Sequence, residues 1–409
     1  MPYQAADRRH RSGWGDVRTT VAIVGAGPVG VATALFLAAQ GIDCLVIEAD
    51  QVPTHDLRAS TFHPPTLEML DTVGLAQPLI ERGLITPDWQ VRMHETGERA
   101  RFDLALLADD TPFPYRLQCE QAVLVRLGQE RLREAGLAEL RLGTAVSGLA
   151  QDDAGVTLTL ADGETVAARY AVAADGARSA MRQLVGADFE GFTYPETTIL
   201  ATSLFPFHDH LEGLSNVNYC WASEGTFSLL RLPDLWRCSL YADAGETIEA
   251  ATEPAAIAEK LQRIVPSAEG HAVQEIRPYR IHQRIAQRYD HGRVLLAGDA
   301  AHLNSPSGGM GMNGGIHDGW ALAEALAQVL AGGPPELLAR YSRRRKAIAE
   351  EQILAQAHRN RTRMQERDPA RRRAELEALQ ALAADPVRCR QHLLQTSMIA
   401  GLRQAEAMA

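Results

Sequence analysis

At 409 residues the chain is too long for one small hydrophobic core and long enough for two interleaved domains. Its 46% hydrophobic content is ordinary for a globular protein, and a formal charge of -10 opposes nonspecific binding to nucleic acid. Five cysteines, Cys44, Cys119, Cys220, Cys238 and Cys389, lie far apart with no pair at metal-ligand or redox spacing; they read as buried apolar residues in a reducing compartment, and no metal site is expected.

The Arg-rich stretch 1–18 reads as a flexible leader that lacks the apolar centre of a signal peptide. Thr19–Val24 follows as a strand, Gly25-Ala26-Gly27-Pro28-Val29-Gly30 as the turn into a helix reaching Gln40, and Gly41 as the helix end. Cys44–Ile47 is the next strand, with Glu48 at its tip. This is a dinucleotide fingerprint: Gly25 permits the tight turn, Gly27 leaves room for a pyrophosphate at the helix N-terminus, Gly30 allows close helix packing, and Glu48 can accept ribose hydroxyls. The uncharged run Val21–Gly41 is about long enough to cross a bilayer. Its glycines and Pro28 at fingerprint spacing argue against a span, so the chain is expected to be soluble and cytoplasmic with no membrane partner.

Further on, Tyr170–Ala174 is a small apolar strand, and Asp175-Gly176-Ala177-Arg178-Ser179 is the turn after it. Strand-like runs at Thr198–Phe205, Asn216–Trp221, Thr226–Leu232 and Trp236–Tyr241 predict an antiparallel sheet, with a helix over Glu253–Ile264, opened by Pro254, packed on its back. Val294–Ala297 is a buried strand, and Asp299 stands at its carboxyl end, where ligands bind in open α/β sheets. Four glycines between Ser307 and Gly314 let backbone amides approach a flat ligand, and a helix starting near Met312 turns its positive end toward that place, suited to an anionic ring. From Pro334 onward the chain is helical and rich in arginine, including Arg343, Arg344, Arg345, Arg371, Arg372 and Arg373. Interleaved Glu350, Glu351, Glu366 and Glu375 make this a solvated, ion-paired face rather than a nucleic-acid site.

With these three strand-end motifs in this order and spacing, the chain resembles the single-component FAD-dependent aromatic hydroxylases, the family of para-hydroxybenzoate hydroxylase and phenol hydroxylase. The resemblance runs from about Thr19 to the helix after Asn313. Pro278-Tyr279-Arg280-Ile281-His282-Gln283-Arg284 and the C-terminal text are most similar to the short para-nitrophenol and hydroxypyridine monooxygenases. The resemblance implies an α/β fold: a discontinuous Rossmann-like FAD-binding domain with a mainly parallel sheet at 19–186 and 284–335, an inserted antiparallel-sheet substrate domain at 187–283, and a helical C-terminal segment at 336–409. The thioredoxin-like extension of phenol hydroxylases is not expected.

For the cofactor, the resemblance implies that Gly25, Gly27, Pro28, Gly30 and Glu48 hold the ADP half, and that Arg58 and Gln118 approach the FAD. Asp175, with Gly176 and Arg178, would serve FAD and the docking nicotinamide nucleotide, Asp299 the ribityl chain, Pro306 the ring face, and Gly311, Met312 and Asn313 the pyrimidine edge. The alternatives are surface arginines for Arg58 and Arg178 and a satisfied polar group in a strand for Gln118. The family often has a bulkier apolar residue or proline where this chain has Ser305 or Ser307, which bears on pocket shape.

For chemistry, the resemblance implies that NAD(P)H reduces a tightly but non-covalently bound FAD. O2 then forms a flavin C4a-hydroperoxide that hydroxylates a phenolic or hydroxylated heteroaromatic ring ortho or para to its hydroxyl. No second Gly-x-Gly-x-x-Gly unit follows a strand, so NAD(P)H is expected to dock transiently. Candidate catalytic residues are Pro306, Tyr219 and His282; candidate substrate contacts are Tyr219, Trp221, Arg231 and His210, with His208 nearby. Arg231 would suit a carboxylate-bearing substrate. Each has a plain reading as well: His208 and His210 as solvent-exposed, Arg231 as outer-face, Tyr219 and Trp221 as sheet packing. An FAD dehydrogenase or oxidase that inserts no oxygen, and a non-catalytic flavin-binding accessory protein, are the alternative functions. The expected partner is a small aromatic molecule, and a homodimer is the candidate assembly.

Overall fold

A computed structural model describes residues 17–52, 59–136 and 138–408. Val17–Val24 lies inside a sheet, parallel to Cys44–Ile47 on one side and to Thr165–Ala173 on the other; Val294–Leu296 and Ala138–Arg141 extend the parallel order outward. Cys44–Ile47 and Val294–Leu296 are buried at every position, which is why they read as unbroken apolar runs rather than alternating ones. Register places the functional loops together. Val24 pairs with Ala173, and Ala173 with Leu296, so the turns at Gly25, Asp175 and Asp299 all leave the carboxyl edge of adjacent strands. The helices Pro28–Ala39 and Gly311–Leu330 pack against each other, with the Phe36 and Trp320 rings edge-on at 5.1 Å.

A second eight-stranded sheet runs in the order His302–Leu303, Val273–Ala286, Phe189–Ser203, Trp236–Leu240, Gly225–Arg231, Val217–Ala222, Asp88–Met93, Arg99–Asp103. The four expected strands are present within it, and the expected helix forms at Pro254–Ile264. The pair Asp88–Met93 and Arg99–Asp103, placed with 19–186 from the sequence, belongs to this second sheet through a parallel pairing of Asp88–Met93 with Val217–Ala222. Trp89 and Phe102 supply the reason: their rings stack at 4.3 Å, and both are buried with Trp221, Leu376 and Leu393 in a core that the C-terminal helices complete. A short alternating strand shows which face is apolar, not which sheet it will join. The long strand Val273–Ala286 also pairs with His302–Leu303, which carries the second sheet up to the glycine loop.

The C-terminal helices are Glu336–Ile348, Ala355–Gln365, Pro369–Ala384, Pro386–Thr396 and Ile399–Ala407, with a π-helical turn at Ala349–Leu354. Asp368 and Asp385 cap two proline-opened helices; Asp368 accepts from the Ala370 and Arg371 amides at 2.8 and 3.1 Å. The arginine-rich face expected to be solvated is only partly so. Arg373 pairs with Glu98 in the open, whereas Arg345, Arg361 and Arg372 are 2%, 7% and 5% exposed. Arg372 donates to the carbonyls of Ala222, Gly225 and Glu366, tying the tail to a hairpin about 150 residues earlier. Composition reports that charge is present, not that a distant turn will offer it buried carbonyls. Among the described residues no helix is long and apolar enough to cross a membrane.

Candidate active site

The turn after the first strand can be built only from glycine at two positions. Gly25 sits at φ +103°, where an added Cβ would lie 2.2 Å from the Ala174 carbonyl oxygen, and a Cβ on Gly30 would lie 1.9 Å from that of Gly25. At Gly27 a Cβ would meet nothing within 4 Å, so open space faces the N-terminus of the Pro28–Ala39 helix. That cradle, at the positive end of a helix, fits a pyrophosphate. It opens into a cleft of about 450 Å³ lined by Gly25, Glu48, Gln121, Asp175 and Arg178 among others. Through Gly27, Pro28, Gln121, Ala174 and Gly176 this cleft continues into a second of about 290 Å³, which reaches Thr61, Asp299, Pro306, Gly311 and Met312.

Each polar group along the cleft has a definite posture. The Glu48 carboxylate accepts from the amides of Ala26 and Asp50 at 2.7 and 3.0 Å, which fixes it at the rim. Asp175 is turned inward: its carboxylate accepts from the Met181 amide at 3.0 Å and from the Ser179 hydroxyl, and burial, against those bonds, lifts its pKa above the ordinary range. Asp175 and the neighbouring Gly176 both border the cleft. Gln118 is wholly buried and accepts from the Thr61 hydroxyl at 3.1 Å, while Gln121, three residues on, lines both clefts. Arg58 lies outside the described residues.

The glycine loop is held from behind. Asn313, fully buried, accepts from the His63 amide at 2.9 Å and donates to the carbonyls of Thr61 and Gly309 at 2.8 and 2.7 Å, so its side chain pins the loop rather than facing the cleft. The His63 ring reaches the Gly308 carbonyl at 2.9 Å. Burial, with Arg116 nearby, holds that imidazole well below its ordinary pKa, so it is neutral and Nε2 must carry the proton donated to Gly308. The first-turn amides of the Gly311–Leu330 helix accompany Met312 at the cleft wall. Beneath the Asp299 turn, buried Asp318 accepts from the Gly298 amide at 3.0 Å, from His302 Nε2 at 2.8 Å and from Arg345 Nε at 2.6 Å. The sequence reading missed this network and His63, because the partners lie far apart along the chain and no local pattern joins them.

Between the loop Pro306–Gly309 and the second sheet lies a small chamber of about 50 Å³, bounded by Arg116, Tyr219, Arg237, Tyr241, Tyr279 and Met364 among others. Arg116 is 3% exposed; it donates to the Thr396 carbonyl at 3.3 Å and to the Tyr219 hydroxyl, and its guanidinium lies 5.3 Å from the centre of the Trp89 ring. No carboxylate of the described residues pairs with it, and its Nε has no hydrogen-bond partner. Burial pushes its pKa down, partly offset by Tyr219. Arg237 donates to the Ser60 hydroxyl at 2.8 Å.

Of the residues picked from sequence, Tyr219 and Pro306 meet at this chamber. His282 stands exposed at the mouth of the neighbouring cleft, its Nδ1 2.8 Å from the Thr193 hydroxyl. Three others are elsewhere. Trp221 is 1% exposed within the core that the C-terminal helices complete and donates to the Arg363 carbonyl at 3.1 Å; Arg231 is half-buried at the end of its strand; His210 is exposed and stacks on Phe205 at 4.8 Å. The arginines that line the chamber are Arg116 and Arg237. Both are buried arginines at or near the start of a strand, and nothing in the sequence alone set them apart from Arg231.

A glycine-turned parallel sheet, a cleft running along its carboxyl edge and a second sheet closing a chamber over a glycine loop make up the architecture of a dinucleotide-binding protein with an enclosed pocket beside the nucleotide cleft. The family described as FAD binding domain matches residues 18–357, and the chain belongs to it. It is 36% identical over 396 residues to para-nitrophenol 4-monooxygenase of Pseudomonas sp. (strain WBC-3), spanning 94% of this chain and 97% of that protein. It is 31% identical over 324 residues to 6-hydroxy-3-succinoylpyridine 3-monooxygenase HspB of Pseudomonas putida (strain DSM 28022 / S16), spanning 78% and 82%. The crystal structure of p-nitrophenol 4-monooxygenase PnpA from Pseudomonas putida DLL-E4 superposes with a TM-score of 0.88 at 32% identity, over 96% of this chain and 100% of that one. The protein is an FAD-dependent aromatic monooxygenase, as the three strand-end motifs implied.

Proposed function

We propose that the enzyme uses NAD(P)H and O2 to hydroxylate a small phenol or hydroxylated heteroaromatic, bound as its phenolate, ortho or para to the hydroxyl. The observation that carries this reading is Arg116. A guanidinium buried without a carboxylate is costly, and an anionic oxygen entering the chamber offsets that cost. The same charge lowers the pKa of a bound phenol and so favours the more electron-rich phenolate. Tyr219, hydrogen-bonded to Arg116, is the neighbouring group able to relay the phenol proton toward solvent, taking it up as its own hydroxyl proton leaves. Tyr279, Met364 and Pro306 are among the residues that line the chamber. The names of the relatives, monooxygenases of para-nitrophenol and of a hydroxypyridine, agree with a ring of this size.

When bound, FAD supplies the exchange of two electrons with NAD(P)H and the activation of O2. Glu48 would hold its adenosine ribose, the helix start at Gly27 and Pro28 its pyrophosphate, Asp299 its ribityl hydroxyls, and the amides opening the Gly311–Leu330 helix the pyrimidine edge of the ring. Replacing Asp299 with Ala is therefore expected to yield protein purified without yellow colour, checked by the ratio of visible to ultraviolet absorbance; full retention of FAD would refute the role of Asp299.

The reaction is tested with purified enzyme, NADH or NADPH, and a panel of phenols, hydroxypyridines and hydroxybenzoates under oxygen-18 gas. The expected result is substrate-stimulated NAD(P)H consumption with one labelled oxygen in the product. Product bearing no label from the gas would mean a dehydrogenase or oxidase, and no substrate-stimulated consumption would mean a non-catalytic flavin carrier.

A further inference from the structure

The chamber has a side pocket of about 20 Å³ whose outer wall comes from the C-terminal helices, through Asn360, Arg363, Met364 and Thr396. A space of that size accepts about one water-sized group. Arg116, Tyr219, Gly308 and Met364 border both spaces. Three of these four are anchored: Arg116 by the Thr396 carbonyl, Tyr219 by Arg116, and Gly308 by the His63 ring. Met364 is different. It is 7% exposed, comes from the Ala355–Gln365 helix, and is an unbranched chain with three rotatable bonds for which no hydrogen bond is seen among the described residues.

We propose that Met364 is the specificity-determining residue of this enzyme: its side chain divides the chamber from the side pocket and limits the ring substituent at that end to a group of one or two heavy atoms. The preferred substrate is then a monocyclic phenol with one small substituent, and fused or long-chain phenols are refused at Met364. The inference rests on the phenol reading above. It also gives the tail a role in selection that its arginine content does not suggest, since Met364, Asn360 and Thr396 all belong to it.

The test uses Met364→Ala and Met364→Phe holoenzymes with phenols bearing 4-methyl, 4-ethyl, 4-propyl and 4-butyl groups. Kd is read by flavin difference absorbance and turnover by oxygen-18 incorporation. One methylene in an apolar pocket is worth roughly tenfold or more in kcat/KM. Met364→Ala is expected to move the preference at least about tenfold toward propyl and butyl, and Met364→Phe to move it toward the smallest phenols, in Kd as well as kcat/KM. FAD content and melting temperature confirm that each variant is folded; if the alanine variant loses FAD, the phenylalanine variant carries the test alone. An unchanged size ranking in a folded variant, with label still incorporated, overturns the assignment to Met364 and leaves the phenol reading intact. Absence of label from every phenol in the unmodified enzyme overturns both.

Discussion

Replacing Arg116 with methionine lowers kcat/KM for the phenolic substrate roughly 100-fold or more while leaving the melting temperature unchanged or higher. The two halves of that result have one cause. In the folded protein the guanidinium is removed from water and, among the described residues, has no carboxylate and is met by a carbonyl, a tyrosine hydroxyl and a tryptophan face. Those contacts return part of the desolvation cost. An unbranched apolar side chain of similar length removes the charge and fills the space, so the fold loses little. The substrate loses its counter-charge, and a charge-assisted hydrogen bond in a low-dielectric chamber is worth more than its neutral equivalent. Arg116→Lys is expected to restore part of the activity, because it keeps the charge but loses the planar fork. Steady-state kinetics and thermal melts on the three proteins decide the matter. A methionine variant that binds substrate normally but melts markedly lower would make Arg116 a structural residue, and the chamber would lose its claim to a phenolate.

Asp318→Asn should cost about 3–5 kcal/mol of stability and release FAD. Asp318 is wholly buried and, among the described residues, is the carboxylate that balances Arg345, which is 2% exposed and also donates to the Gly314 carbonyl. The amide leaves that guanidinium uncompensated and weakens the bond that holds the Gly298 amide, one residue before Asp299. The pH dependence has a definite sign. Burial opposes the charge of Asp318, but Arg345 and His302 outweigh it and hold the carboxyl below its usual range. A depressed folded pKa contributes stability that is fully present above the unfolded value, about 3.9, and is lost as pH falls through the folded one. The gap in melting temperature between parent and variant should therefore be widest near neutrality and narrow below about pH 4. A second change, Arg345→Met, should recover part of the loss, because the orphaned charge goes with it. Melts followed by flavin fluorescence and far-ultraviolet circular dichroism at several pH values provide the check. A gap independent of pH would show that the carboxylate charge is not what holds the network.

Where the sequence spoke clearly, the constraint was local. The tight turn at Gly25 is dictated by a positive φ and by an oxygen 2.2 Å from where a side chain would begin, so the residues that make it must be adjacent in the chain and glycine at set spacing. The same holds for the Gly308-Gly309 pair, at φ +101° and +67°, beside the helix start at Gly311. Dinucleotide cradles are built this way, from backbone amides and helix ends, and for that reason the α/β class and the FAD cofactor could be read from the chain alone.

The substrate chamber obeyed no such rule. Its walls come from a strand at Arg116, two strands at Tyr219 and Arg237, the loop at Pro306 and the tail at Met364, brought together only when the second sheet closes over the first. The strand pattern singled out Arg231 and passed over Arg237 in the next strand; only packing shows that Arg237 borders the chamber while Arg231 ends its strand half-buried. The tail's arginines divide in the same way: Arg373 remains with Glu98 at the surface, and Arg345 is buried on Asp318. The sequence by itself determined the fold class and the cofactor, because those depend on backbone geometry over a few consecutive residues. Tertiary structure decided which charges are buried and which side chains line the chamber, because desolvation depends on neighbours distant along the chain, as Arg116 depends on the Thr396 carbonyl.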